Sequence, residues 1–225
     1  MEEKKSKKVL SLLLILILVF VIRFGISLIN THVLNKISLT VRPLLQFLCC
    51  LVLLPLPIVS MRKRKETFTD LGLEKDKILI QIISGVIISI VMSLVLIVVP
   101  AFFSNGRSAS NSNVSILYYM FSFIYSVFGV ALTEEFIFRG FLYNRLQTLF
   151  GSLPLTIVVT SILCGLFHFL SGNVYQAIIS AIIGAFFCFC KEGIRSCSLL
   201  SLVVAHGIYE FLSLNRSLIL QLLNK

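Results

Sequence analysis

The chain reads as an all-α protein, a polytopic transmembrane bundle of about seven to eight helices, and three observations predict this. Seven apolar stretches recur along the 225 residues, each near the ~20 residues that cross a bilayer core of roughly 30 Å as a helix. Hydrophobic residues make up 57% of the chain and charged residues 13%, with a mean hydropathy of +0.99. A soluble globule is thereby excluded, because its surface would be one exposed apolar patch. The positive residues behind the net charge of +10 lie in short segments between the apolar runs, not on a basic domain, which removes nucleic acid as a partner and leaves membrane lipids.

The first stretch, VLSLLLILILVFVIRFGISLI (9–29), follows the basic segment EEKKSKK. A cleavable leader has that order too, but this run is long, contains Arg23 and is followed by no small-x-small site, so it is expected to remain as a helix. A second stretch spans 41–59. MRKRKETFTDLGLEKDK (61–77) is expected to be a cytoplasmic linker with a short surface helix. The third stretch is 78–103, and the small polar residues of SNGRSASNSN (104–113) suit an external loop. A fourth, 115–133, runs on through two glutamates to FGSLP, where Gly151 suits a helix end and Pro154 the first turn of the next helix. The last stretches are 154–170, 174–190 and 197–214, the final two joined by KEGIRS. Clusters at Lys4–Lys8, Arg62–Lys65, Lys75 and Lys77, with Lys191 and Arg195, fall on one side if the N-terminus is cytoplasmic. Residues 1–225 then form one integral membrane domain, with three helices in 1–114 and a core in 115–214. Cys49, Cys50, Cys164, Cys188, Cys190 and Cys197 lie in or beside apolar runs without metal-ligand spacing and read as small hydrophobes, not a disulfide framework.

Function is sought where charge is misplaced. Beyond residue 76 the acidic residues are Glu134, Glu135, Glu192 and Glu210. Glu192 belongs to a polar turn, and His32 to a short loop. The other three glutamates accompany His168 and His206 in or beside apolar helices, where an ionisable group costs several kcal/mol and marks function. Glu135 and Arg139 are four residues apart on one face and form a pair. Glu134 points about 100° away, which leaves its carboxylate chemically available. Glu134 lies 17 residues before Gly151 and His168 lies 17 after it, so a tight hairpin sets both at one level, roughly 25 Å from the turn. His206 stands about 20 Å above the KEGIRS turn, with Glu210 one helical turn beyond on the same face.

A carboxylate among apolar side chains can act as a general base toward water, and neighbouring imidazoles can hydrogen-bond an oxyanion or donate a proton. These residues suit peptide hydrolysis without a covalent intermediate. His168, His206 and Glu134 would alternatively make a zinc set with water in the fourth position, although no HExxH accompanies them. No GxSxG elbow surrounds Ser161 or Ser171, and no Gly-rich phosphate loop is present.

EEFIFR (134–139) resembles the EExxxR motif of the CAAX-protease and bacteriocin-processing family, also called Abi, of intramembrane proteases that includes the Rce1-type endopeptidases. SILCGLFHFL and VVAHGIYEFL resemble that family's second and third motifs in order and spacing, over residues 115–214. The resemblance implies that Glu134 activates water, that Glu135 with Arg139 holds the site together, and that His168, His206 and Glu210 complete an oxyanion-binding and positioning shell. It also implies an integral membrane protein of a bacterial plasma membrane, acting on a peptide or lipidated protein tail in bacteriocin maturation or self-immunity. Two positions depart from the pattern: Cys164 replaces a phenylalanine, and Glu210 replaces an asparagine or aspartate. Glutamate donates a hydrogen bond only when protonated, so Glu210 must stay neutral, orient His206, or recruit a metal. The competing readings are a non-catalytic scaffold that binds a sensor kinase, peptide or envelope enzyme, and a transporter relaying protons through Glu134 and His168. The lack of inverted repeats counts against the transporter.

Overall fold

A computed structural model describes residues 2–73, 77–100 and 115–216, and among these the chain is helical with no strand. We number the helices α1 (Glu2–His32), α2 (Arg42–Lys63), α3 (Ile78–Val98), α4 (Ile116–Phe150), α5 (Leu153–Phe169), α6 (Val174–Gly193) and α7 (Leu199–Leu214). Five segments, in α1, α2, α3, α4 and α6, are long and apolar enough to cross a membrane. The expected external loop at 104–113 lies outside the described residues.

Burial along α1 shows how a membrane helix uses a narrow seam. Leu12, Val19 and Ile26 are buried while Leu13, Leu14, Ile17, Val21 and Phe24 are exposed, so a seam at every seventh residue, flanked by the partly buried Ile15, Leu16, Phe20 and Ile22, faces the bundle. The second helix breaks into Arg42–Leu51 and Pro55–Lys63. Pro55 and Pro57 remove two amide donors there, and the chain turns through Val52–Leu54 before helical winding resumes.

Small residues bring the inner helices together, as expected where close packing rather than hydrophobic burial must hold helices in lipid. A Cβ added at Gly85 of α3 would lie 2.5 Å from the Ser201 carbonyl oxygen of α7, and one at Gly165 of α5 would lie 2.6 Å from the Ala177 carbonyl oxygen of α6. At Gly207 of α7 the added atom would meet the Val127 backbone of α4 at 2.9 Å. The pairs α5–α6, α3–α7 and α4–α7 therefore approach to backbone distance. The α4–α5 hairpin closes as its sequence predicts: Gly151 takes φ 61° and Pro154 sits in the first turn of α5.

The expected cytoplasmic linker is more firmly held than a surface segment. Leu71 is buried in the main core, Phe68 packs on Phe136, and the Leu199 amide donates to the Gly72 carbonyl at 3.0 Å. Glu66 pairs with Arg145 through both carboxylate oxygens, and Asn144 Nδ2 donates to the Asp70 carbonyl at 2.9 Å. Polar composition misreads this stretch because Met61 and Leu71 are buried while Glu66 finds its partner on α4.

Candidate active site

Helix α4 is 35 residues long, about 52 Å at 1.5 Å per residue, and Glu134 lies near its middle. Its winding is not uniformly α. Residues Tyr125–Ala131 and Phe136–Leu142 are wound as π-helix and flank the single α-turn Leu132–Glu135 that carries both glutamates. π-Turns inside α-helices concentrate at functional sites. This phase change is invisible to a reading that assumes 3.6 residues per turn throughout.

Adjacent glutamates on that turn face different helices. Glu134 Oε2 lies 3.1 Å from His168 Nε2 on α5. Glu135 Oε1 receives Arg139 Nη1 at 3.1 Å and lies 2.7 Å from His206 Nδ1 on α7. Glu135, 0% exposed, is thus the shared anchor of a buried triad, and Arg139 is 1% exposed. Phe187 of α6 stacks on the guanidinium, 5.3 Å from its centre. Gly184 leaves the room for it, since a Cβ there would lie 3.3 Å from Arg139 Nη2. The separation of roles read from a 100° turn is matched by these contacts, but His206 bonds to Glu135 rather than converging on Glu134.

Glu134, His168, His206 and Glu210 all line one cavity of about 270 Å³. Helix α5 has 17 residues, about 25 Å, shorter than a bilayer core, so His168 in its last turn sits close to the loop 170–173. Glu210 faces the cavity, and no described residue hydrogen-bonds its carboxylate.

Sequence reasoning overlooked four side chains here. Arg23, noted only as evidence against a leader, lines the cavity with Tyr125 and Gln176. The rule that singled out Glu134, a charge inside an apolar run, would have found it. Lys191, read as a loop charge, donates from Nζ to the Arg139 carbonyl at 2.7 Å. That carbonyl has lost its usual partner: the Tyr143 amide, four residues on, bonds instead to Phe138. Lys191 caps the carbonyl passed over where π winding returns to α, a vacancy no sequence pattern announces.

The expected zinc set does not assemble. Among the described residues no group of three His, Cys, Asp or Glu side chains could hold a metal ion. One nitrogen of each imidazole instead meets a different carboxylate, Glu134 for His168 and Glu135 for His206. Residues 116–212 match the model of the Rce1-like family, type II CAAX prenyl endopeptidases. This stretch is Rce1-like. The Rce1-like segment begins at the first residue of α4 and ends in α7, so it holds every side chain of the glutamate–histidine pairs, whereas Arg23 lies outside it. No curated protein and no solved structure matches the chain.

Proposed function

We propose that the protein is an intramembrane endopeptidase that hydrolyses a peptide bond in a membrane-associated peptide or protein with water activated by Glu134. The observation that carries this reading is the Glu134–His168 contact, 3.1 Å long, on the wall of a cavity that His206 also lines. The Rce1-like match supports a protease.

With one oxygen on His168, the second oxygen of Glu134 is left to take a proton from water. The resulting hydroxide adds to the carbonyl carbon and an oxyanion forms. A doubly protonated His206 donates through Nδ1 to Glu135 and through its other nitrogen to that oxyanion. The carbon–nitrogen bond then breaks as Glu134 returns its proton to the leaving amine, and the carboxylic acid and amine so formed leave as carboxylate and ammonium after proton transfer between them. His168 holds the Glu134 carboxylate in place, and Arg139 holds that of Glu135. No step requires a metal. We attach this activity to a bacterial plasma membrane with the N-terminus in the cytoplasm, and to maturation of, or self-immunity against, secreted peptides.

The scaffold reading draws on Glu210, which stands where the resembling family has an asparagine or aspartate. One experiment separates the two. Purified wild type, Glu134→Gln and His206→Ala are incubated with a mixture of apolar peptides in lipid nanodiscs, with and without chelator, and products are read by mass spectrometry. We expect cleavage by wild type that chelator leaves unchanged and that both substitutions abolish; no cleavage by folded wild type would favour the scaffold.

A further inference from the structure

Arg23 is a cation placed in an apolar helix, and among the described residues no carboxylate lies within ion-pair distance of it. Its Nη2 donates to the Ser171 hydroxyl at 2.6 Å, and its guanidinium stacks over Phe167 at 4.8 Å. Both partners are uncharged. No carboxylate pairs with it among the described residues, and its Nε is buried without a hydrogen-bond partner. Arg139, by contrast, is matched with Glu135. A guanidinium within an apolar helix is costly and marks function, and Arg23 faces Glu134 and Glu210 across the cavity without an ion pair to either.

Its position supplies the function. Arg23 lines the same cavity as Glu134 and His168. It is tied to Ser171, whose hydroxyl in turn donates to the His168 carbonyl at 3.3 Å, so it stands at the C-terminal end of α5, beside the Glu134–His168 pair. Phe167 and Ser171 hold the guanidinium plane from one face and one edge, leaving N–H groups directed by a fixed frame rather than by a flexible stem. A planar fork held in this way matches a carboxylate.

We infer that Arg23 is the anion-recognition residue of the cavity and takes a carboxylate of the bound peptide, either its free C-terminus or an acidic side chain. The inference rests on the proteolytic reading and deepens it: one charged group on the substrate sets which peptide bond reaches Glu134. Ser171 is displaced or shared when the carboxylate arrives, and Phe167 keeps the guanidinium from swinging to lipid.

The test uses full-length protein in nanodiscs and a mixture of apolar decapeptides that each contain one glutamate. The mixture is prepared in three forms: free acid, C-terminal amide, and free acid with glutamate replaced by glutamine. Cleavage is followed by mass spectrometry, and binding of dye-labelled members by fluorescence anisotropy. We expect one of the two neutralised forms to be cut and bound about tenfold or more weakly by wild type, the loss of a charged hydrogen bond. The form affected identifies the carboxylate. Arg23→Gln should remove that discrimination by lowering the preferred form to the level of the others, and Arg23→Lys should retain part of it. Equal treatment of all three forms by wild type would overturn the inference, as would an Arg23→Gln variant that slows every form equally. If no peptide is cut, the endopeptidase reading fails while the anisotropy arm still decides whether Arg23 selects a carboxylate.

Discussion

Lys191→Met tests how the reactive turn is held. The substitution keeps the unbranched apolar stem and removes the ammonium that reaches the Arg139 carbonyl at 2.7 Å, the Asn144 side-chain oxygen at 3.4 Å and the Tyr143 ring at 4.5 Å. A hydrogen bond from a charged group contributes about 1.5–3 kcal/mol, and here its loss also strands a carbonyl that the π-to-α transition has deprived of its amide. At about 2–4 °C per kcal/mol for a chain of this size, the melting temperature should fall by about 3–12 °C. The assay is provided by the protein itself. Cys50, Cys164, Cys188, Cys190 and Cys197 are free and buried, so a thiol-reactive dye reports their exposure during heating in detergent. An unchanged melting temperature, within about 1 °C of wild type, would show that the carbonyl is satisfied without Lys191 and would refute the capping argument.

Two further outcomes follow from contacts already described. Gly207→Ala forces a Cβ to within 2.9 Å of the Val127 backbone; the overpacking penalty of about 1–3 kcal/mol should outweigh the helix-propensity gain of up to about 1 kcal/mol. A lowered melting point and slower peptide cleavage are expected, and a raised melting point would contradict the close α4–α7 approach. In the docked linker, the Thr67 amide and hydroxyl both donate to Asp70 at 2.7 Å, and these bonds hold the Asp70 carboxyl below its ordinary value of 3.8. Because the folded state favours the ionised form, this turn is fully stabilised above that value and loosens as the pH falls through the lowered one. Limited acid proteolysis should therefore cut near residues 64–73 faster as the pH drops below about 4, while Asp70→Asn should be cut readily and without that pH dependence.

Residues 131–170 explain how much could be read in advance. Glu134 and His168 lie at equal counts from Gly151, and a tight hairpin turns that arithmetic into a 3.1 Å contact, so their pairing was legible. The choice of partner for His206 was not, because two π-wound segments on α4 alter the phase that a uniform helix would give. Arg23 meets Ser171 across 148 positions and Glu66 meets Arg145 across 79; nothing local in either segment points to such distant partners. Helix positions, by contrast, follow from apolar run length and from Gly and Pro punctuation, which is why each of the seven stretches is helical among the described residues.

The most direct measurement compares wild type with Glu134→Gln, which removes the base while keeping its shape and its contact with His168. Both proteins are first shown to melt at the same temperature in nanodiscs, and the cleavage rate of the same peptide mixture is then determined. Removal of a general base slows a reaction by about 10²–10⁴-fold, and a loss of that size is the predicted result. Cleavage by Glu134→Gln at the wild-type rate would contradict the account.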